Sequence, residues 1–271
     1  MTVLLQGCAT VDIRSSNLKQ EGMDAALMEK GRRILAQAVW KQDRAGKWDQ
    51  FDEWKIVTRD VWRSNLIRRL TPITQADQKL EFLFRLDKTE AQLKYLNGKK
   101  AHEVLGIANG QSYVWQGTER VFKKNGRLEG YLAPVRDYFF WPQDLVNSEY
   151  IAYDGEVELD GIRYHKIFAT NGSFTPSSGE NQYIVWINTE TLQIDYIEFT
   201  LRELLKSYRG VVQYKDYQVI EGIGLPQRIV LKDKLSGQKY SHEFIVEGME
   251  FSEDQKELSF TIQLREFDGS L

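Results

Sequence analysis

Residues 90–116 read Glu90-Ala91-Gln92-Leu93-Lys94-Tyr95-Leu96-Asn97-Gly98, then Lys99-Lys100-Ala101-His102-Glu103-Val104-Leu105-Gly106-Ile107-Ala108-Asn109-Gly110, then Gln111-Ser112-Tyr113-Val114-Trp115-Gln116. Ala91, Leu93 and Tyr95 alternate with polar residues, the period of a half-buried strand. Two Asn-Gly pairs follow, and Asn-Gly is a strong hairpin signal because both residues tolerate φ > 0. The stretch therefore reads as a three-stranded meander with residues 99–107 in the middle.

The same pattern extends to both sides. Upstream, Trp54, Ile56 and Thr58 alternate with charges over 53–59, and Leu80, Phe82, Phe84 and Leu86 alternate again. Downstream, hairpins turn at Asp160-Gly161, at residues 188–191, at Glu221-Gly222 and at Ser236-Gly237, with a last strand over 258–264. A polar loop with Pro176 and Gly179 interrupts them over 171–181. Roughly twelve short strands with such punctuation predict an open barrel or a large curved antiparallel sheet. One helix precedes them over 24–41, capped by Asp24, with Leu27, Gly31, Ile34, Leu35, Ala38 and Val39 on one stripe. The class is α+β, mostly β.

Residues 128–148 break the strand pattern. Tyr138-Phe139-Phe140-Trp141 stand directly before Pro142. The residue before proline avoids the helical region, which predicts a helical or irregular segment with a turn there. Four adjacent aromatics are not expected to share one core. Either the segment is a plug across one end of the sheet, or some of them line a groove, meet a partner or cover an edge.

Composition bounds the function. The chain has 271 residues, 42% hydrophobic and 28% charged, with 36 Lys+Arg against 39 Asp+Glu. A net charge of −3 gives no basic excess for nucleic acid. Mean hydropathy is −0.48 and no apolar run reaches the ~18 residues of a membrane helix. The length suits one large domain, no composition break divides it, and no 20–50-residue repeat is present. One cysteine excludes an internal disulfide, a thiol zinc cluster and a CxxC pair. His102-Glu103 and His242-Glu243 start like zincin motifs but lack a second His four residues on, and both fall on predicted strands. His165 is expected half-exposed on a strand. No G-x-S-x-G elbow, P-loop or G-x-G-x-x-G appears. No catalytic residue, metal site or cofactor is expected.

Two resemblances sharpen this reading. Leu5-Gln6-Gly7-Cys8-Ala9 resembles the lipobox of bacterial lipoproteins, which implies acylation of Cys8. The departure is that only seven residues precede Cys8 and none is basic, whereas a secretion signal needs a charged start and an apolar stretch of ~7–15 residues. Either the start lies further upstream or the motif is coincidental. Ala9 after the cysteine resembles the outer-membrane sorting signal of Gram-negative cells. Residues 1–23 then comprise a signal remnant and a polar flexible tether, holding the domain roughly 20 Å from its anchor.

Within a single domain over 24–271, about residues 28–250 resemble the LolA/LolB-like superfamily of periplasmic lipoprotein-localisation factors, nearest an uncharacterised lipoprotein-sorting-like branch. The match rests on the helix ending near Trp40, the Trp-rich entry 48–62, and the segment 138–145. It continues through Tyr153-Asp154-Gly155-Glu156, Leu159-Asp160-Gly161-Ile162, Val185-Trp186-Ile187-Asn188, Tyr214-Lys215-Asp216-Tyr217 and Ile223-Gly224-Leu225-Pro226. The resemblance implies an incomplete antiparallel β-barrel whose concave face is covered by helices and binds acyl chains. Inward candidates are Trp62, Phe82, Phe84, Trp115, Trp186 and Phe199, with Phe139, Phe140 and Trp141 at the mouth. It also implies a non-enzymatic envelope lipoprotein, on the outer membrane facing the periplasm and anchored in the inner leaflet. The expected partner is a lipid acyl chain or lipoprotein. The alternative is a structural subunit of an envelope complex, with a side-chain-filled barrel and a protein partner.

Overall fold

A computed structural model of the chain describes residues 10–22, 24–86, 88, 90–177, 179–202 and 208–252. The elements in chain order are α1 (Ser16–Glu21), α2 (Ala25–Gln42), β1 (Glu53–Trp62), α3 (Asn65–Arg68), β2 (Asp77–Arg85), β3 (Glu90–Tyr95), β4 (Val104–Ala108), β5 (Gln111–Gln116) and β6 (Glu119–Phe122). There follow α4 (Gly126–Asp144), β7 (Tyr150–Leu159), β8 (Ile162–Thr170), β9 (Gln182–Asn188), β10 (Ile194–Thr200), β11 (Arg209–Ile220), β12 (Ile223–Lys232) and β13 (His242–Ser252).

The thirteen strands among the described residues form one antiparallel sheet. Its spatial order is β6-β5-β4-β3-β2-β1-β13-β12-β11-β10-β9-β8-β7. Two meanders run outward from a central seam, where β1 pairs with β13 from Glu53↔Ser252 to Trp62↔His242. The ends of the sheet are β6 and β7, and α4 is the connection between them. That connection dictates the shape. Twelve strand spacings of ~4.8 Å make a contour of roughly 58 Å. A 19-residue helix spans only about 28 Å. The sheet must curl around α4, which gives an open half-barrel with the helix against its concave face.

The expected meander is present, with two differences. Asn109 and Gly110 have φ of 50° and 72°, as a tight turn with two left-handed residues requires. Asn97-Gly98 opens a longer loop instead, and β4 starts at Val104 rather than at 99. Asn97 is committed elsewhere, because its side-chain oxygen accepts from the Lys79 backbone N–H at 2.9 Å. His102 consequently lies in that loop at φ 73°, exposed, and not on a strand. The short strand β6 and the helix α3 carry too little periodicity to read from sequence. The strand expected over 258–264 lies outside the described residues.

Helix α2 starts as expected, with Asp24 Oδ1 accepting from the N–H groups of Ala26 and Leu27. It covers the edge strand β7 so closely that a Cβ on Gly31 would sit 2.6 Å from the Ala152 carbonyl carbon. A covered edge does not invite pairing with another chain.

Residues 10–22 are not a free tether. Leu18 is 1% exposed in a second apolar cluster with Phe168, Phe174, Ile184, Trp186 and Tyr196. The backbone is pinned as well: Ile13 N–H donates to Gln182, Ser15 N–H to Asp154, and the Arg202 guanidinium to the Val11 carbonyl. Leu18 and Ile13 are isolated apolar residues in a polar run, so periodicity could not reveal them.

Candidate functional site

The sheet has two faces, and one of them is built almost entirely of apolar side chains. Along β1, Trp54, Ile56, Thr58, Asp60 and Trp62 are buried while their neighbours are half-exposed. Strict alternation puts all five on one face. Cross-strand pairing continues that face through Leu80, Phe82 and Phe84 of β2 to Leu93 and Tyr95 of β3. On the other side of the seam Phe244, Ile229, Tyr214 and Phe199 extend it.

Helix α4 lies on this face. It buries Leu128, Tyr131, Leu132 and Val135, and also Tyr138, Phe139, Phe140 and Trp141. The expectation that four adjacent aromatics would divide between surfaces is therefore corrected. The half-barrel wraps the helix on several sides, so residues that point in different directions all meet sheet. Phe140 stands edge-on to Phe84 at 5.5 Å and to Trp54 at 5.3 Å. Phe139 lies 5.6 Å from Phe244, and Trp141 lies 4.8 Å from Phe199. The expected turn before Pro142 is also absent, and the helix runs through Pro134 and Pro142 to Asp144. Each proline removes one helical hydrogen bond. At Pro142 the Tyr138 carbonyl that loses its helical donor accepts from the Tyr214 hydroxyl instead, and the burial of Phe140 and Trp141 just before the proline holds the segment in place.

A polar knot sits inside this apolar face. Asp60 is fully buried, and its two carboxylate oxygens are held from different elements. The Tyr131 hydroxyl of α4 donates to one, and His242 Nε2 of β13 shares a hydrogen bond with the other. The Trp62 ring stacks on His242 at 3.8 Å with a 14° tilt. Burial, with the Asp60 charge and hydrogen bond adding to it, pushes the Tyr131 phenol well above its ordinary range. It stays a neutral donor. A second bond ties helix to sheet where the Tyr214 hydroxyl donates to the Tyr138 carbonyl at 2.9 Å. Close by, Thr58 Oγ1 and Trp62 Nε1 are buried without a hydrogen-bond partner in the protein. Unsatisfied buried donors cost stability unless a ligand or water meets them.

The structure brings seven of the nine expected cavity residues together. Trp62, Phe82, Phe84, Phe139, Phe140, Trp141 and Phe199 belong to one cluster. The three from α4 are at most 6% exposed, so they lie under the sheet rather than at a mouth. The other two face away. Val185 and Ile187 join the inner cluster, so Trp186 between them points to the convex face, where its Nε1 donates to Glu198 at 2.9 Å. Val114 packs inward, so Trp115 points outward and lies under the Arg120 guanidinium at 5.2 Å. Cys8 lies outside the described residues. His165 is partly exposed, beside Glu156 at 3.2 Å. Burial lowers its pKa, while the Glu156 charge opposes this.

Asp60, His242 and Tyr131 escape sequence reading. One signal was present: Asp60 occupies the inward parity of β1, two residues from Thr58 and two from Trp62. Among the described residues no group of three or more His, Cys, Asp or Glu is placed to hold a metal ion. Among them also, no helix is long and apolar enough to cross a membrane.

An open antiparallel sheet curled on a helix that joins its two edges defines the fold class, a half-barrel. A domain from Vibrio parahaemolyticus described as outer membrane lipoprotein-sorting superposes with a TM-score of 0.52 at 9% identity, over 85% of this chain and 95% of that one. A LolA superfamily protein from Nitrosomonas europaea gives a TM-score of 0.49 at 11% identity, covering 82% of this chain and 94% of the other. No family model matches the sequence, and no curated protein matches it. The likeness is one of fold.

Proposed function

We propose that this chain is a non-enzymatic envelope protein that takes a lipid acyl chain, free or on a lipoprotein, into the concave face of its half-barrel, with α4 as a displaceable cover. The observation that carries the proposal is the construction of that face. It is a continuous aromatic and aliphatic surface, and its cover is a helix tied to the sheet by a few side-chain hydrogen bonds, from Tyr131, Tyr214 and Ser112, rather than by a strand ladder. An acyl chain gains about 0.8 kcal/mol per buried CH₂, so affinity needs few polar contacts. The few needed have candidates in Thr58 and Trp62, whose free donors suit an ester or carboxyl oxygen. An outer-membrane location, with anchoring through an acylated Cys8, is part of the same proposal.

The test is mass spectrometry of organic extracts from residues 9–271 purified without detergent. A stoichiometric acyl species, lost in a folded Phe84→Asp variant but kept in Trp186→Ala, supports the reading. A second reading is an interaction subunit with a filled barrel, favoured by the burial of the whole apolar side of α4. A folded, monodisperse protein that carries no lipid and captures none when offered palmitate selects it.

A further inference from the structure

The loop between β1 and β2 presents apolar side chains to solvent. Leu66 is 75% exposed, Ile67 43% and Leu70 69%. These are three of the eight large hydrophobic residues that stand out on the described surface, and they lie within five positions. The loop that carries them is tightly built. Ser64 caps α3 by accepting from the Ile67 N–H, and the Arg68 guanidinium donates to the carbonyls of Ile73 and Thr74. Ile73 is buried, and the Tyr95 hydroxyl fixes the Pro72 carbonyl at 2.8 Å. Backbone and base are therefore held while the three apolar side chains point away from the sheet. Leu66 and Leu70 leave most of their surface uncovered by the described residues.

Charge surrounds them. Arg63 and Arg69 on the loop are exposed, as are Lys99 on the β3–β4 loop, Arg127 at the start of α4 and Lys239 on the β12–β13 loop. These segments are neighbours: the N–H groups of Arg63 and Ser64 bond the Ser241 carbonyl. Arg68, Arg69, Lys100 and Arg127 border one cleft of about 530 Å³. Several acids at this end are engaged with bases, Glu103 with Lys100, Asp77 with Arg59 and Glu243 with Arg228, while Asp233 on the β12–β13 loop is exposed. A chain of net charge −3 thus concentrates cations around its most exposed leucines.

We infer that this tip docks on an anionic lipid bilayer, with Leu66, Ile67 and Leu70 entering the headgroup–acyl boundary and the arginines and lysines meeting the lipid phosphates. Apolar side chains ringed by cations match that boundary, where hydrocarbon lies beneath negative charge. Nucleic acid would satisfy the cations and leave the leucines in water. The tip also closes one end of the concave face, since Ile73 and Tyr95 of its base belong to the inner cluster. The inference stands whether or not that face takes a lipid.

The experiment is flotation of the unacylated full chain with vesicles of phosphatidylglycerol and phosphatidylcholine at 3:7, and with pure phosphatidylcholine. Binding to the anionic vesicles is expected to be at least tenfold the stronger and to fall in 0.5 M NaCl. Leu66→Ser with Leu70→Ser should weaken it about tenfold without lowering the thermal midpoint. Arg69→Gln with Arg127→Gln should weaken it about 25-fold, near fivefold for each cation. Absence of flotation, equal flotation on neutral vesicles, or flotation untouched by the leucine changes overturns the inference. Retention on polyglutamate resin without flotation overturns it in favour of an acidic protein partner.

Discussion

The two faces of the sheet are made by the same strands and differ in almost everything else. The concave face is a single apolar surface sealed by α4, with one polar knot at Asp60, His242 and Tyr131. The convex face is mixed. Beneath α1 it holds a small apolar cluster around Phe168 and Trp186. Over the first meander it carries ionic groups instead, with Arg85 between Glu53 and Glu90. Burial alone would raise the Glu90 carboxyl. Bonds from Tyr113 and Gln92 and the charges of Arg120 and Arg85 outweigh it and hold the carboxyl below its usual range. One face is fitted to exclude water, and the other satisfies its polar groups locally. The difference teaches that the function of such a sheet resides in what covers each face, not in the strands themselves.

The largest expected effects break the comparison if they fail. Phe84→Ala and Phe140→Ala each remove a ring that is 1% exposed, from opposite sides of the sheet–helix contact. Each should lower unfolding free energy by about 3–5 kcal/mol in urea titrations. Trp115→Ala on the convex face, where the ring is only half-buried beneath Arg120, should cost clearly less than either. Equal losses at the three positions would mean that the faces are not energetically distinct.

An intermediate effect concerns the knot. Asp60→Ala leaves the Tyr131 hydroxyl and His242 Nε2 buried without their partner, and should cost about 1–3 kcal/mol. Tyr131→Phe should cost less, because it deletes a donor while Asp60 keeps His242. A Tyr131→Phe protein less stable than Asp60→Ala would show that the helix does not depend on this carboxylate.

The smallest effect sharpens the edge of the helix. Burial pushes the Asp137 carboxyl up to about 6, with Asp144 adding to this and Arg136 opposing it. The folded state then binds more protons than the unfolded state between about pH 4 and 6. This group's contribution is therefore favourable at low pH and is lost as pH rises through 6. Its side chain is 42% exposed, so screening keeps the effect below about 1 kcal/mol. Asp137→Asn should flatten the stability profile over that interval, and an unchanged slope would contradict the assignment.

How much of this was legible in the sequence depended on whether a strand has one wet face. In β1 burial alternates along the whole strand, and the inward candidates Trp62, Phe82 and Phe84 all lie in the inner cluster. In β9 the run Ile184-Val185-Trp186-Ile187 is buried on both sides, so alternation carries no parity and Trp186 fell on the other face. Trp115 failed for a related reason, since β5 is short and its neighbours Val114 and Tyr113 are both apolar. The α4 aromatics were read as too many for one core because a sequence does not show that its curved sheet will wrap this one segment on several sides. The turn expected before Pro142 yielded to burial. Asp60 was hidden because its partners, Tyr131 and His242, are 71 and 182 positions away.

The most direct test of the central claim is hydrogen–deuterium exchange of residues 126–144 with and without bound palmitate. If α4 is a displaceable cover, palmitate should lower protection in this segment while β1, β2 and β13 keep theirs. Unchanged protection in α4 at saturating palmitate would contradict the account and leave a half-barrel permanently filled by its own helix.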